Sequence, residues 1–338
     1  MDTVPEERVN FWPVKLSGGQ TGQRPTMTDF KAKIISELAT VSKLSAAEPN
    51  GTFKVRSYTA AINKLKKLPQ VLTAEDAAGI GGAKIQEKIA TIIATGSLGL
   101  SEAEVAAAAQ ETPEQIFGKI YGVGPATAKK LVAAGYTSIA DLRSAGEAEL
   151  TPAQTAGLQY YEDLLERIPR AEMDKHAGNL VRSAAKFGLT GVITGSYRRG
   201  AASSGDIDML VTHASPEQGA AALRALVEYL VKKTYVKAVL SLGEHMCLAI
   251  ASLVKGGRAR RVDILLTPPE ELPFALAHFT GPAEFNVAMR QEALKRGYSL
   301  SQRGLTRVSN EMPVTGITSE KELLEFFGFG DFLDPMTR

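Results

Sequence analysis

Two carboxylates separated by one residue, just behind a glycine-serine turn and at the start of an apolar run, constrain this chain more than any other feature. The stretch reads T-G-S-Y-R-R-G-A-A-S-S-G-D-I-D-M-L-V-T-H from Thr194 to His213. Val192 and Ile193 before it predict a short strand that ends in a tight turn at Gly195-Ser196, and Ile207 to Thr212 predict a second strand with Asp206 and Asp208 at its start. Side chains alternate along a strand, so these two aspartates share a face. Carboxylates held that close repel each other unless a cation lies between them, and hard oxygen ligands suit Mg²⁺. Arg198 and Arg199 beside the turn add phosphate-binding chemistry. A lone Asp-x-Asp pair is usually a solvated strand end. The combination on strand-turn-strand reads as a metal-dependent nucleotidyl-transfer site.

Length and charge bound what surrounds this site. A chain of 338 residues has room for two or three domains, and 44% hydrophobic content is that of an ordinary globular protein. A net charge of +2 does not announce nucleic acid, but residues 31–100 carry ten Lys/Arg against five Asp/Glu. That local excess suits a phosphate-binding module or, equally, a solvated helix face. Cys247 is the one cysteine, so no disulfide forms within the chain and a reducing compartment is expected. It reads as a buried small hydrophobe. No apolar run approaches membrane-spanning length. The first 26 residues resemble neither a signal nor a transit peptide and are expected to form a disordered tail.

Helical periodicity dominates the first half. Ile34, Ile35, Leu38 and Val41 form one stripe behind a cap at Thr28-Asp29, and Val55, Tyr58, Ala61, Ile62 and Leu65 form a second, closed by Pro69. Residues 77–96 run from a glycine turn (Gly79, Gly81, Gly82) into a helix with Ile85, Ile89, Ile92 and Ile93, and residues 118–134 repeat the idea around Gly122 and Gly124. Each is a helix-hairpin-helix pattern, in which glycines let backbone amides at a helix start approach a DNA phosphate without reading a base. The stretch 101–114 reads as linker or helix, and residues 172–187 as the helix ahead of the aspartate motif. A helix over Pro216–Lys232 and strands at 236–242, 246–254 and 261–267 follow, the last placing Asp263 and Arg261 on one face. Asp263 is the candidate third carboxylate and Arg261 a group that orients or neutralises the set. Ser319 and Glu322 fit a capping box.

The stretch GSYRRGAASSGDIDMLVTH resembles the nucleotidyltransferase signature of the family X DNA polymerases, most of all the polymerase beta branch. GLQYYEDLLERIPRAEM, at 157–173, is similar to that branch too, and the likeness runs from about residue 30 onward. It implies an α+β fold. After a tail (1–26) come a helical lyase-like helix-hairpin-helix domain (27–103) and a DNA-binding subdomain with the second hairpin (104–169). A palm with a mixed sheet (170–269) and a mostly helical nucleotide-selection subdomain (270–338) follow. It also implies roles. Asp206, Asp208 and Asp263 would hold two Mg²⁺, with Mn²⁺ able to substitute. Arg167, Ser196, Arg199, Ser204 and Gly205 would contact the triphosphate. Phe279, Gly281 and Asn286 would flank sugar and base, and Arg290 would reach the template strand. The carbonyls of Gly118, Ile120 and Val123 would hold Na⁺ or K⁺ that bridges to a DNA phosphate. The first hairpin has one residue too many before its helix for the usual cation site. Lys88 aligns with a Schiff-base nucleophile for 5′-deoxyribose phosphate, with Lys54, Tyr58, Lys84 and Glu87 as its phosphate-binding and assisting neighbours. His278 and Ala283 stand where that branch has tyrosine and aspartate. Ser97 and Gly99 replace its basic residues.

The resulting expectation is a monomeric gap-filling polymerase of base excision repair with a lyase activity, acting on gapped or nicked duplex DNA with a 5′-phosphate and on dNTPs, with no membrane. The compartment is expected to be intracellular, the nucleus ahead of a mitochondrial or viral setting. The alternatives are a template-independent transferase, which Arg290 and the hairpins oppose, and a non-catalytic DNA-end binder, which the intact carboxylates oppose.

Overall fold

The computed structural model describes residues 28–48, 51–146 and 150–338, so the expected tail lies outside the described residues. Contacts divide the chain into two units, Met1–Glu111 and Thr112–Arg338. The first is helical: α1 (Lys31–Leu44), α2 (Gly51–Lys66), α3 (Ala83–Thr95) and α4 (Glu102–Ala109). The stripes read from the sequence meet here, with Ile34, Leu38, Tyr58, Ala61, Leu65, Ile85, Ile89 and Ile92 in one buried cluster. The start of α1 differs from the expected cap. Phe30 is the N-cap and makes no side-chain cap bond, while the Asp29 carboxylate accepts from Lys31 N–H (3.0 Å) and Val71 N–H (2.9 Å). Asp29 lies one residue outside the cap position, so it ties the helix start to the loop after α2.

The second unit opens with five short helices: α5 (Pro113–Phe117), α6 (Pro125–Ala133), α7 (Ile139–Ala145), α8 (Pro152–Gln159) and α9 (Tyr161–Leu165). Four of the five start behind a residue that suits a helix start. Thr112, Ser138 and Thr151 close capping boxes at α5, α7 and α8, and Gly124 is the N-cap of α6. Next come β1 (Ile168–Pro169), α10 (Arg170–Ala185), β2 (Leu189–Ile193), α11 (Gly195–Arg198), β3 (Ser203–Ser204), β4 (Ile207–His213) and α12 (Pro216–Lys232). β5 (Val236–Leu242), β6 (Met246–Ala251) and β7 (Arg260–Leu266) complete the strands of a mixed sheet, ordered β2-β4-β7-β6-β5, in which only β4 and β7 are parallel. Ile207, Met209 and Val211 of β4 point into the same core as Leu180 of α10 and Leu223, Leu226 and Leu230 of α12. Each such side chain contributes about 1.5–3 kcal/mol by leaving water. The helices cover that face, and Asp208, between Ile207 and Met209, points to the other.

The tight turn expected at Gly195-Ser196 is instead a single helical turn, α11. It starts at Gly195 because the backbone there must enter the left-handed region (φ +60°) beside Asp208. The remainder is α13 (Leu272–Thr280), α14 (Ala283–Lys295), a hairpin of β8 (Tyr298–Ser301) and β9 (Gly304–Arg307), and α15 (Glu320–Phe326). The box expected at α15 is half made. Ser319 Oγ accepts from Glu322 N–H (3.2 Å), but the Glu322 carboxylate goes to Thr318 N–H (2.7 Å) and Oγ (3.0 Å), one residue further out. Among the described residues no helix is long and apolar enough to cross a membrane.

Candidate active site

Register brings the carboxylates together. In the parallel β4–β7 ladder Asp208 lies directly opposite Asp263, and neighbouring strands stand about 4.8 Å apart. Asp206 lies one residue ahead of β4, in a bend rather than on the strand, and joins the pair through Arg261. Burial and the Asp263 charge push the Asp208 carboxyl up to about 6. Burial likewise raises Asp263, with Arg261 opposing. Arg261 is the local counterion: it pairs with Asp206 and brings Nε to 3.5 Å from Asp263 Oδ1, an oxygen that is buried without a hydrogen bond. With the arginine in that place, no group of three His, Cys, Asp or Glu among the described residues is poised as it stands to hold a metal ion. The donor set still suits a divalent cation. Two in-register carboxylates repel, one of their oxygens lacks a partner, and a third carboxylate, Asp206, is paired to the same Arg261.

The turn ahead of β4 is built against Asp208. Thr194 N–H donates to Asp208 O (2.8 Å), and a Cβ on Gly195 would lie 2.6 Å from Asp208 Oδ2. Only glycine lets the backbone come so near the carboxylate. From that turn Ser196 Oγ meets Ser204 Oγ at 3.0 Å, so two expected triphosphate contacts are brought together. Arg167 pairs with Ser203 through Oγ (2.7 Å) and O (2.6 Å), next to Ser204 on the β1–β3 bridge. Gly205 follows, with open space where a Cβ would stand. Arg199 donates to Thr280 O (2.5 Å), and its guanidinium lies against Gly281. Asn286 Nδ2 donates to His278 O (2.8 Å). Phe279 packs edge-on to His278. The His278 ring lies 3.4 Å from Arg290, and burial together with that cation keeps its pKa low. His278 Nδ1 therefore accepts, leaving the proton on Nε2.

Several contacts that hold this site are not readable from the sequence, and Arg198, singled out there for phosphate binding, is instead committed to an ion pair with Glu320. Arg198 donates to Thr280 Oγ (2.5 Å) and grips Glu320 with both nitrogens (3.0 and 2.8 Å), and Arg338 reaches the same carboxylate (2.8 Å). Burial alone would raise Glu320, but the two arginines hold it below the usual range. Arg170 lies 3.9 Å over the Tyr197 ring and donates to Tyr197 O (2.6 Å), while Tyr197 Oη donates to Asp174 (2.9 Å). These clasps fix the C-terminal end of α11. Tyr121 of the second glycine turn also belongs to the neighbourhood. Burial raises its hydroxyl, Asp263 adds to this and Arg261 opposes it. No spacing rule links residues 122 apart, as Arg198 and Glu320 are. The Asp174–Tyr197 pair carries no motif either.

Around the second glycine turn, Gly124 caps α6 with open space on its outer side, and Gly122 takes φ +77°. Gln154 Nε2 donates to Gly122 O (2.8 Å). In the first unit, Lys88 is half-buried on α3, and Lys84 and Glu87 are exposed on the same helix. Tyr58 is buried in the helical core, with burial and Glu48 raising its hydroxyl, and Lys54 pairs with Glu48.

Comparison with known proteins agrees with this architecture. Residues 115–165 match the fingers domain of DNA polymerase lambda, 167–269 the DNA polymerase beta palm and 275–338 the DNA polymerase beta thumb. The chain belongs to the family X DNA polymerases. It is 31% identical over 291 residues to DNA polymerase lambda of Rattus norvegicus, covering 82% of this chain and 50% of that protein. It is 30% identical over 312 residues to DNA polymerase lambda of Arabidopsis thaliana, covering 83% and 57%. DNA nucleotidylexotransferase of Gallus gallus is 24% identical over 372 residues, covering 99% and 73%. The chain thus spans about half the length of these lambda relatives.

Proposed function

We propose that this protein is a template-directed, gap-filling DNA polymerase of base excision repair that adds a dNMP to a primer 3′-hydroxyl, with an associated 5′-deoxyribose-phosphate lyase. The observation that carries the reading is Asp208 paired residue for residue with Asp263, with the Gly195 turn packed on its carboxylate. Asp206, Asp208 and Asp263 would hold two Mg²⁺ ions, or Mn²⁺ in their place. When bound, such ions lower the pKa of the attacking hydroxyl and steady the triphosphate. The protein's own groups do the rest. Arg261 keeps Asp206 and Asp263 neutralised and separate until it is displaced. Ser196, Ser204, Gly205, Arg167 and Arg199 line the place for the phosphates, where hydrogen bonds and positive charge stabilise the leaving pyrophosphate. Phe279, Gly281 and Asn286 flank sugar and base, and Arg290 faces the template strand.

The Gly122 and Gly124 amides would grip a DNA phosphate, with Na⁺ or K⁺ on the carbonyls of Gly118, Ile120 and Val123. Lys88 is the proposed lyase nucleophile, with Lys54, Tyr58, Lys84 and Glu87 around the 5′-phosphate. The protein would act as a monomer on gapped or nicked duplexes, in a reducing intracellular compartment, the nucleus first. The test is addition of dNTP to a one-nucleotide gap, with borohydride trapping of an abasic 5′ end. Asp206→Ala should abolish the first and spare the second, and Lys88→Ala should do the reverse. Normal synthesis by Asp206→Ala would refute the carboxylate assignment. Because the nucleotidylexotransferase match spans nearly the whole chain, single-stranded primers form a second arm. Untemplated extension of them would favour a template-independent transferase.

A further inference from the structure

The two glycine turns correspond through their own hydrogen bonds. In the second, Ile120 N–H donates to Phe117 O and Val123 N–H to Ile120 O, both at 3.0 Å, with Gly122 between them at φ +77°. In the first, Ala77 N–H donates to Ala74 O and Ile80 N–H to Ala77 O, both at 3.2 Å, with Gly79 at φ +74°. Ala77 therefore matches Ile120, Gly79 matches Gly122 and Ile80 matches Val123. The surplus residue is Gly81 (φ +79°), inserted before the N-cap Gly82, and a Cβ there would stand 2.8 Å from the Ile85 side chain.

This correspondence makes the carbonyls of Ala77 and Ile80 the counterparts of two carbonyls assigned above to a monovalent cation. In the first turn both are already engaged. Gln86, from the first full turn of α3, brings Nε2 to 3.0 Å from Ala77 O and 2.5 Å from Ile80 O. Two carbonyl oxygens can be met only by the NH₂ end of an amide, so both of its protons are used. The glutamine of the second turn does something else. Gln154 takes Gly122 O, which is not among Gly118, Ile120 and Val123. A monovalent ion needs several carbonyl oxygens converging on it, and in the first turn two of them converge on a nitrogen. A cation does not fit there while Gln86 holds this place.

We propose that the first turn is a cation-free form of the phosphate grip, in which the Gln86 amide replaces the monovalent ion that serves the second turn. This rests on reading both turns as grips on the DNA backbone. The amide satisfies the same carbonyls but brings no net charge, so the first grip relies on the backbone amides at the start of α3 and on Lys84. Its strength does not depend on which alkali cation is present.

The test uses the full chain, free and bound to a one-nucleotide-gapped duplex with a 5′-phosphate, crystallised with thallium(I) as the probe for potassium and located by anomalous scattering. Wild type should carry no thallium on Ala77 and Ile80. Gln86→Ala should gain an ion on those carbonyls. Its affinity for the duplex, read by fluorescence anisotropy against wild type in the same salt, should be roughly tenfold lower in tetramethylammonium and equal to wild type in potassium. Thallium on Ala77 and Ile80 of wild type, with Gln86 turned away, overturns the proposal without any variant. A folded Gln86→Ala that takes no ion there overturns it too, since the amide would not be what keeps the cation out. The free-protein crystals keep this test separate from the functional reading, because failure to bind gapped DNA sinks the latter while thallium positions still decide the former.

Discussion

Gly195→Ala probes how the Gly195 turn and the facing carboxylates of Asp208 and Asp263 are fitted together. The substitution has two costs. The residue sits at φ +60°, which costs alanine about 1–2 kcal/mol. Its Cβ would also stand 2.6 Å from Asp208 Oδ2. A comfortable carbon–oxygen contact is over about 3.3 Å, so the carboxylate or the turn must shift by roughly 0.7–1 Å. Misplacement of that size costs about a hundredfold in rate, or roughly 2.7 kcal/mol of barrier. Gly297→Ala separates the two costs, because Gly297 has φ +80° and nothing within 4 Å of an added Cβ. Both variants should lose about 1–2 kcal/mol in urea denaturation. Only Gly195→Ala should lose about a hundredfold in single-turnover filling of a one-nucleotide gap. Gap filling within threefold of wild type by Gly195→Ala would show that Asp208 does not need its present position, and the account of the turn would fall.

Three further outcomes are expected. Asp208→Asn removes one of two facing carboxylates, so it should raise the thermal midpoint in EDTA while abolishing synthesis; a lowered midpoint would mean that the lost carboxylate stabilises the fold more than its repulsion strains it. His176 is fully buried against Tyr235 Oη (2.7 Å), and burial depresses its pKa to about 4 despite the nearby Glu172. The unfolded chain therefore binds the extra proton first, and stability should drop as pH falls from about 6.5 to about 4, by up to about 3 kcal/mol. Urea midpoints at pH 7 and 4.5 should separate less in His176→Gln, and equal separation would exclude this histidine as the cause. Glu320→Gln leaves Arg198 and Arg338 facing each other without their shared anion and should cost about 2–4 kcal/mol in equilibrium unfolding. A loss under about 0.5 kcal/mol would mark the pairs as no stronger than surface ones.

Much of the architecture is written in local pattern. The apolar stripes of α2 and α3 follow helical spacing and end up buried, because a helix exposes one face to its core whatever the core is made of. The strands 207–212 and 236–242 are legible as short apolar runs bounded by turn residues, without strict alternation. Local chemistry misled where it came out one residue away from the simplest pattern. Asp29 sits outside the cap position, Glu322 bonds Thr318 rather than Ser319, and Gly195 opens a helical turn where a reverse turn was expected.

The stretch from Thr194 to His213 illustrates the division. Its sequence alone determines a glycine that can enter the left-handed region, two carboxylates one residue apart at a strand start and arginines beside them, because each depends only on residues a few positions apart. Tertiary structure decides what those groups meet. The register of β4 against β7 sets Asp263 opposite Asp208, and folding brings Arg261 to Asp206 and Glu320 to Arg198. The same holds for Gln86. Its place on a helix is plain from the sequence, but that its amide turns back on Ala77 and Ile80 depends on how the preceding turn is wound. Contacts between distant segments are selected by the packing of the whole unit, and no window of sequence contains that information.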